Sequence, residues 1–123
     1  GVDIVNNKRI AKSLKIKGFV SRIFTKNEIK DSLKTNNKVC FFAKRFAAKE
    51  ALVKALGTGF RNNINFSDIE VKNNINGKPL INISDNINNY LKKKFKISKY
   101  KIYLSLSDEN KHSIAFIIIN KIK

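Results

Sequence analysis

Val39 to Gly59 reads VCFFAKRFAAKEALVKALGTG. The stretch is rich in alanine, apolar almost all round and free of Gly and Pro until Gly57. The spacing therefore predicts the longest and most buried helix of the chain over Val39 to Leu56, stopped by Gly57 and Gly59. At about 100° per residue, the angular neighbours of Glu50 are Ala43, Phe46, Ala47, Val53, Lys54 and Gly57, a small and apolar face. A carboxylate there has to be paired, bound to metal or protonated, because an isolated buried charge is very costly. An i,i+4 pair with Lys54 and a functional carboxylate are both open readings of the helix alone.

On the N-terminal side, Gly1-Val2-Asp3-Ile4-Val5 is β-branched and apolar around one carboxylate, which predicts a buried strand that begins before Gly1. Asn7 to Leu14 places Ile10 and Leu14 at helical spacing, with Lys8, Arg9, Lys12 and Lys15 around the other side. Thr25-Lys26-Asn27-Glu28 fits a capping box for a helix over Lys26 to Leu33. On the C-terminal side, Ile69 to Val71 and Leu80 to Ile83 flank Asn76-Gly77-Lys78-Pro79 and read as a hairpin. Ser84 is expected to cap a helix to about Phe95. Tyr100 to Ser107 alternates as a half-buried strand, and the continuous apolar run in His112 to Asn120 predicts a last strand buried on both faces. The expected fold class is α+β, one compact domain spanning residues 1–123 with mainly antiparallel strands packed on a long helix.

Composition narrows the function classes. With 123 residues, 42% of them hydrophobic, the chain is large enough for a core. The apolar run Ile114 to Ile119 is far shorter than the roughly 20 residues of a membrane helix, and no secretory signal is visible. Cys40 is the only cysteine and His112 the only histidine, which excludes a disulfide framework and a His/Cys zinc cluster within one chain. A cytoplasmic protein without a membrane partner is expected. The net charge of +17 attracts polyanions in general. Only Arg9, Arg22, Arg45 and Arg61 among the 26 basic residues carry the planar fork suited to base or phosphate recognition, so most of the lysine excess reads as compositional drift.

Asp3 is a second carboxylate in an apolar setting, and a strand residue can face a helix residue across one core layer. Two such oxygens suit magnesium, which is commonly held by one or two carboxylates plus substrate phosphates and water. Gly57-Thr58-Gly59 is either an ordinary helix stop or a phosphate cradle, with Lys54 and Arg61 nearby; the P-loop pattern is absent. Cys40 beside Phe41 and Phe42 reads as a core thiol.

Read together, Gly1 to Val5 with Arg9-Ile10, Lys44 to Ala51, Lys54 to Gly59, the Gly77-Lys78-Pro79 turn and Leu104 to Glu109 resemble the holo-[acyl-carrier-protein] synthase family of 4'-phosphopantetheinyl transferases. The resemblance covers nearly the whole chain. It implies transfer of 4'-phosphopantetheine from coenzyme A to a serine of an acidic apo acyl carrier protein, with release of 3',5'-ADP. Asp3 and Glu50 would hold Mg²⁺ against the coenzyme pyrophosphate, with the general base unassigned. Lys44, Arg45, Lys54, Gly57, Thr58, Gly59 and Pro79 match positions around the coenzyme. Asp108 stands where many relatives have His and others Asp, which removes one candidate base or phosphate ligand. The family pattern also implies a homotrimer with active sites between subunits, and Arg9, Lys12 and Arg22 as a basic face for the carrier protein. The rival reading from another class is a small nucleic-acid-binding or ribosome-associated protein, motivated by the charge. It leaves Asp3 and Glu50 unexplained, no RNP or helix-turn-helix pattern supports it, and no specific nucleic-acid partner is expected.

Overall fold

The computed structural model describes residues 1–61 and 63–123. The chain runs β1 (Val2–Asn6), α1 (Asn7–Leu14), α2 (Phe19–Ile23), α3 (Lys26–Ser32) and α4 (Lys38–Leu56). A 3₁₀ turn (Phe66–Asp68), β2 (Ile69–Asn73), β3 (Pro79–Ile83), α5 (Asp85–Phe95), β4 (Tyr100–Asp108) and β5 (His112–Lys121) follow. One antiparallel sheet has the order β1-β5-β4, and β2 pairs with β3 as the expected hairpin.

Local chemistry accounts for most boundaries. The Asn6 side chain accepts from the Lys8 and Arg9 amides and starts α1. Thr25 and Glu28 form the expected capping box. Gly57 ends α4 at φ 76°, a left-handed conformation that costs glycine little. The Ser84 hydroxyl takes the N-cap position of α5 but donates to Asp68 Oδ1 at 2.8 Å instead of capping the helix. The short α2 and the 3₁₀ turn carry too little periodicity to be read from sequence.

α4 is the spine of the core. Ala43, Ala47, Ala48, Ala51 and Leu52 are fully buried, and the small residues let the helix lie close on β1 and β5. The approach is tightest at Gly1, where an added Cβ would stand 1.9 Å from the Ala51 carbonyl oxygen and 2.8 Å from the Ala55 nitrogen. A side chain there would push β1, and Asp3 with it, away from the helix.

Two expectations about the sheet are corrected. β5 is not buried on both faces: Ser113, Ala115 and Ile117 face α4, whereas Ile114, Phe116 and Ile118 alternate with them and stay exposed in the single chain. Nor is β1 a buried strand. Val2 is 54% and Ile4 59% exposed, on the outer face where Val2 pairs with Phe116 and Ile4 with Ile114. The sheet has one face on α4 and one apolar face uncovered.

Candidate active site

Asp3 projects from β1 on the face that packs against α4, in register with the buried Ala115. Its carboxylate is only 12% exposed and lies 2.8 Å from the Lys54 ammonium, which also donates to the Val2 carbonyl at 3.2 Å. The i,i+4 alternative for Glu50 is thereby corrected: the ion pair of Lys54 is made with Asp3, because β1 passes directly beneath the last turns of α4. Glu50 itself is half-buried, less than the apolar face around it suggests. Its pKa is raised by burial first and by the neighbouring Asp3 charge second, and Lys54 and Arg9 pull it back down. Two carboxylates and two cations therefore converge where β1, α1 and α4 meet. Lys12, on the same helix as Arg9, and Arg22 on α2 are exposed outside this cluster.

The fully buried charge of α4 is Lys49, one residue earlier. Its ammonium lies 2.8 Å from Glu28 Oε1 and donates to the carbonyls of Phe66 and Ile69. Glu28 in turn accepts from the Thr25 and Val71 amides, both at 2.9 Å. Burial pulls the Lys49 pKa down and Glu28 opposes it. Neither the partner nor the burial was visible in sequence: Lys49 is one of four lysines on α4, and nothing local marks it as the enclosed one.

A second group of expected residues gathers at the other end of α4. Lys44 lies 3.6 Å from Asp108 at the end of β4, and both line a cleft of about 460 Å³ with Cys40, Phe41 and Arg45. Arg45 is 3% exposed, its guanidinium sits 3.5 Å from the Phe41 ring centroid, and its Nε has no hydrogen-bond partner among the described residues. Cys40 is not a core thiol but borders this cleft, its pKa pushed up by burial and then by Asp108. Lys44 and Lys54 stand about 15 Å apart along the helix at ~1.5 Å per residue.

Gly57, Thr58 and Gly59 follow the last turn, with Gly57 and Gly59 both at positive φ. The Gly57 amide donates to the Lys54 and Val53 carbonyls and the Thr58 amide to Val53, so these two donors close the helix and do not point at an anion. Pro79 opens β3 in the hairpin and is half-buried.

Among the described residues, no three His, Cys, Asp or Glu side chains come together as a metal cluster. Two carboxylates remain, Asp3 and Glu50, close enough to repel and answered by Lys54 and Arg9. That donor set fits a hard cation that keeps much of its own water.

Residues 1–117 match the 4'-phosphopantetheinyl transferase superfamily. The chain is 53% identical over 121 residues to the holo-[acyl-carrier-protein] synthase of Pelagibacter ubique, covering 98% of this chain and 94% of that protein. It is 48% identical to the synthase of Ehrlichia chaffeensis, covering 97% and 93%. The crystal structure of the Neisseria meningitidis synthase superposes with a TM-score of 0.85 at 36% identity, over 98% of this chain and 96% of that one. The Helicobacter pylori synthase, solved in complex with coenzyme A, superposes at 0.83 with 30% identity over 98% of each chain. On sequence over nearly its whole length and on fold, the chain belongs to the 4'-phosphopantetheinyl transferase superfamily.

Proposed function

We propose that this transferase moves 4'-phosphopantetheine from coenzyme A to a serine of an apo acyl carrier protein with a magnesium ion held by Asp3 and Glu50. The observation that carries the metal assignment is the convergence of these two carboxylates at the β1–α4 contact, where burial and the Asp3 charge oppose the ionisation of Glu50 and Lys54 and Arg9 offset them. When bound, magnesium would neutralise charge on the coenzyme pyrophosphate and orient it for in-line attack.

The chain's own residues supply the rest of the reading. Lys54, which pairs with Asp3 at 2.8 Å, would supply a positive charge beside the Gly57–Gly59 turn if a cation took its place at Asp3. Lys44 and the buried Arg45 offer a second anion grip in the cleft, where Arg45 Nε lacks a partner among the described residues and Asp108 holds Lys44. Pro79 contributes a rigid wall from the hairpin. Arg9, with Lys12 and Arg22 exposed nearby, presents a basic approach to an acidic carrier.

The assembly reading is a homotrimer. It is supported by the uncovered apolar face of the β1-β5-β4 sheet, on which Val2, Ile4, Ile114, Phe116 and Ile118 form a contiguous patch of the kind that marks an interface. No helix of the described residues is long and apolar enough to cross a membrane, and the single free thiol accords with a cytoplasmic setting.

The test is intact-mass spectrometry of apo carrier proteins after incubation with the chain, coenzyme A and Mg²⁺. A mass gain of one phosphopantetheine that stops on adding EDTA is expected. Well-folded protein that leaves several apo carriers unmodified would overturn the reading.

A further inference from the structure

Asn7 is the first residue of α1 and 5% exposed, and the transfer reaction described above gives it no part. Its side-chain amide donates to the carbonyls of Glu109 at 3.0 Å and Asn110 at 3.3 Å, and its Oδ1 accepts from the buried Ser113 hydroxyl at 2.8 Å. Its backbone amide donates to the Lys111 carbonyl at 2.7 Å. One residue thus ties the whole β4–β5 turn to the junction of β1 and α1. That junction also carries Asp3 four residues before and Arg9 two residues after.

The turn begins at Asp108, the residue that pairs with Lys44 at the rim of the cleft containing Arg45. Asp108 and Lys44 are each about one-third exposed, and such a pair does little to fix its own geometry. What fixes Asp108 is the backbone it stands on, held by β-pairing to Ser113 on one side and by the Asn7 links on the other. An aliphatic side chain at position 7 would fill the buried space yet leave the Glu109 and Asn110 carbonyls without these donors. The backbone bonds from residue 7 to Lys111 and from Glu109 to His112 would remain, but the Glu109–Asn110 part of the turn would give its two carbonyls to water and lose its set position.

We infer that Asn7 is a positioning residue for coenzyme binding: it holds the β4–β5 turn so that Asp108 keeps Lys44 in the anion-binding cleft, at a set place relative to Asp3. The inference rests on the reading of Lys44 and Arg45 as coenzyme ligands.

The experiment is steady-state transfer with coenzyme A varied at saturating apo carrier and Mg²⁺, for the full chain and four variants. Asn7→Leu and Asn7→Asp are expected to raise KM for coenzyme A about 10-fold, the scale of supporting-residue losses, with kcat per folded molecule within about twofold. Asn7→Asp keeps the acceptor for Ser113 but sets a carboxylate against two carbonyls, so its KM should be no better than that of Asn7→Leu. Ser113→Ala removes one bond to Asn7 and none to the turn, so its melting temperature should fall while KM stays put. Lys44→Ala should raise KM by at least as much as Asn7→Leu. If Lys44→Ala raises KM but both Asn7 variants leave it unchanged, the positioning role is wrong and the coenzyme reading stands. If Lys44→Ala itself leaves KM unchanged, the coenzyme reading of the cleft fails and the inference falls with it. Equal KM shifts in Ser113→Ala and Asn7→Leu would reduce Asn7 to a packing residue and also overturn it.

Discussion

Lys49 and Glu50 are neighbours on α4, about 100° apart, and end in opposite environments. Lys49 meets Glu28 with both side chains wholly sealed, and every polar atom of the pair is answered by a backbone group or by its partner. Glu50 lies half-buried beside Asp3 with no hydrogen bond of its own among the described contacts, its charge opposed by burial and by a like neighbour. The first arrangement is saturated and has nothing left to bind with. The second is unsatisfied, and an unsatisfied pair of carboxylates is what a cation or its substrate can relieve. Solvent access separates the two: Lys49 is fully enclosed among Glu28 and the Phe66 and Ile69 carbonyls, whereas Glu50 is only half-buried.

The sharpest way to break the comparison is to neutralise the open pair. Glu50→Gln or Asp3→Asn should cut transfer about 1,000-fold or more, the loss of several kcal/mol of charge stabilisation in the transition state. The melting temperature of Glu50→Gln should stay level or rise, since the substitution removes a repulsion. Transfer rates by mass spectrometry and a thermal melt by circular dichroism check both halves; normal turnover in both variants would remove the metal assignment.

The sealed pair should respond the other way round. Lys49→Met strands the Glu28 carboxylate in the core and is expected to cost about 3–5 kcal/mol of stability, read from urea unfolding. Lys49→Met combined with Glu28→Gln should recover more than half of that. The Gln oxygen still accepts from the Thr25 or Val71 amide and its NH₂ can turn to the Phe66 and Ile69 carbonyls. Transfer per folded molecule should be unchanged in the double variant. Lost turnover in a stable double variant would mean that the buried pair also shapes the site.

The helix that carries both residues was legible from sequence, as were α1, the capping box of α3 and the β2–β3 turn, because each rests on a local signal of periodicity, cap or glycine. Which residue of α4 is sealed was not. A helix that is apolar all round has no stripe to phase it, so the small residues around Glu50 pointed to burial there although Lys49 is the one enclosed. The apolar run of β5 misled for a related reason: it has the same composition whether its second face meets the core or is left uncovered as in this chain. Gly1 and Asn7 owe their importance to contacts with Ala51 and the β4–β5 turn, far away in sequence, and no local pattern announces either.

The smallest effect belongs to the cation that pairs with Asp3 beside Glu50. Lys54 is more than half exposed, so its pair with Asp3 should be worth only about 0.2–1 kcal/mol, and Lys54→Met should lower stability by that much in chelator-treated protein. Its pH dependence carries the information. Glu50 has a folded pKa above its ordinary value, so the folded chain holds that proton more tightly than the unfolded chain does. The group therefore favours folding in acid and opposes it once pH exceeds the folded pKa. Removing Lys54 removes a charge that now lowers that pKa, which enlarges the opposition only where Glu50 is ionised. The deficit of Lys54→Met should be greatest above the folded pKa of Glu50 and shrink as pH falls through it toward the ordinary glutamate range. Melting temperatures of both proteins from pH 8 down to pH 4, in EDTA, test this; a deficit that grew toward acid would mean that Lys54 does not offset the Glu50 and Asp3 charges.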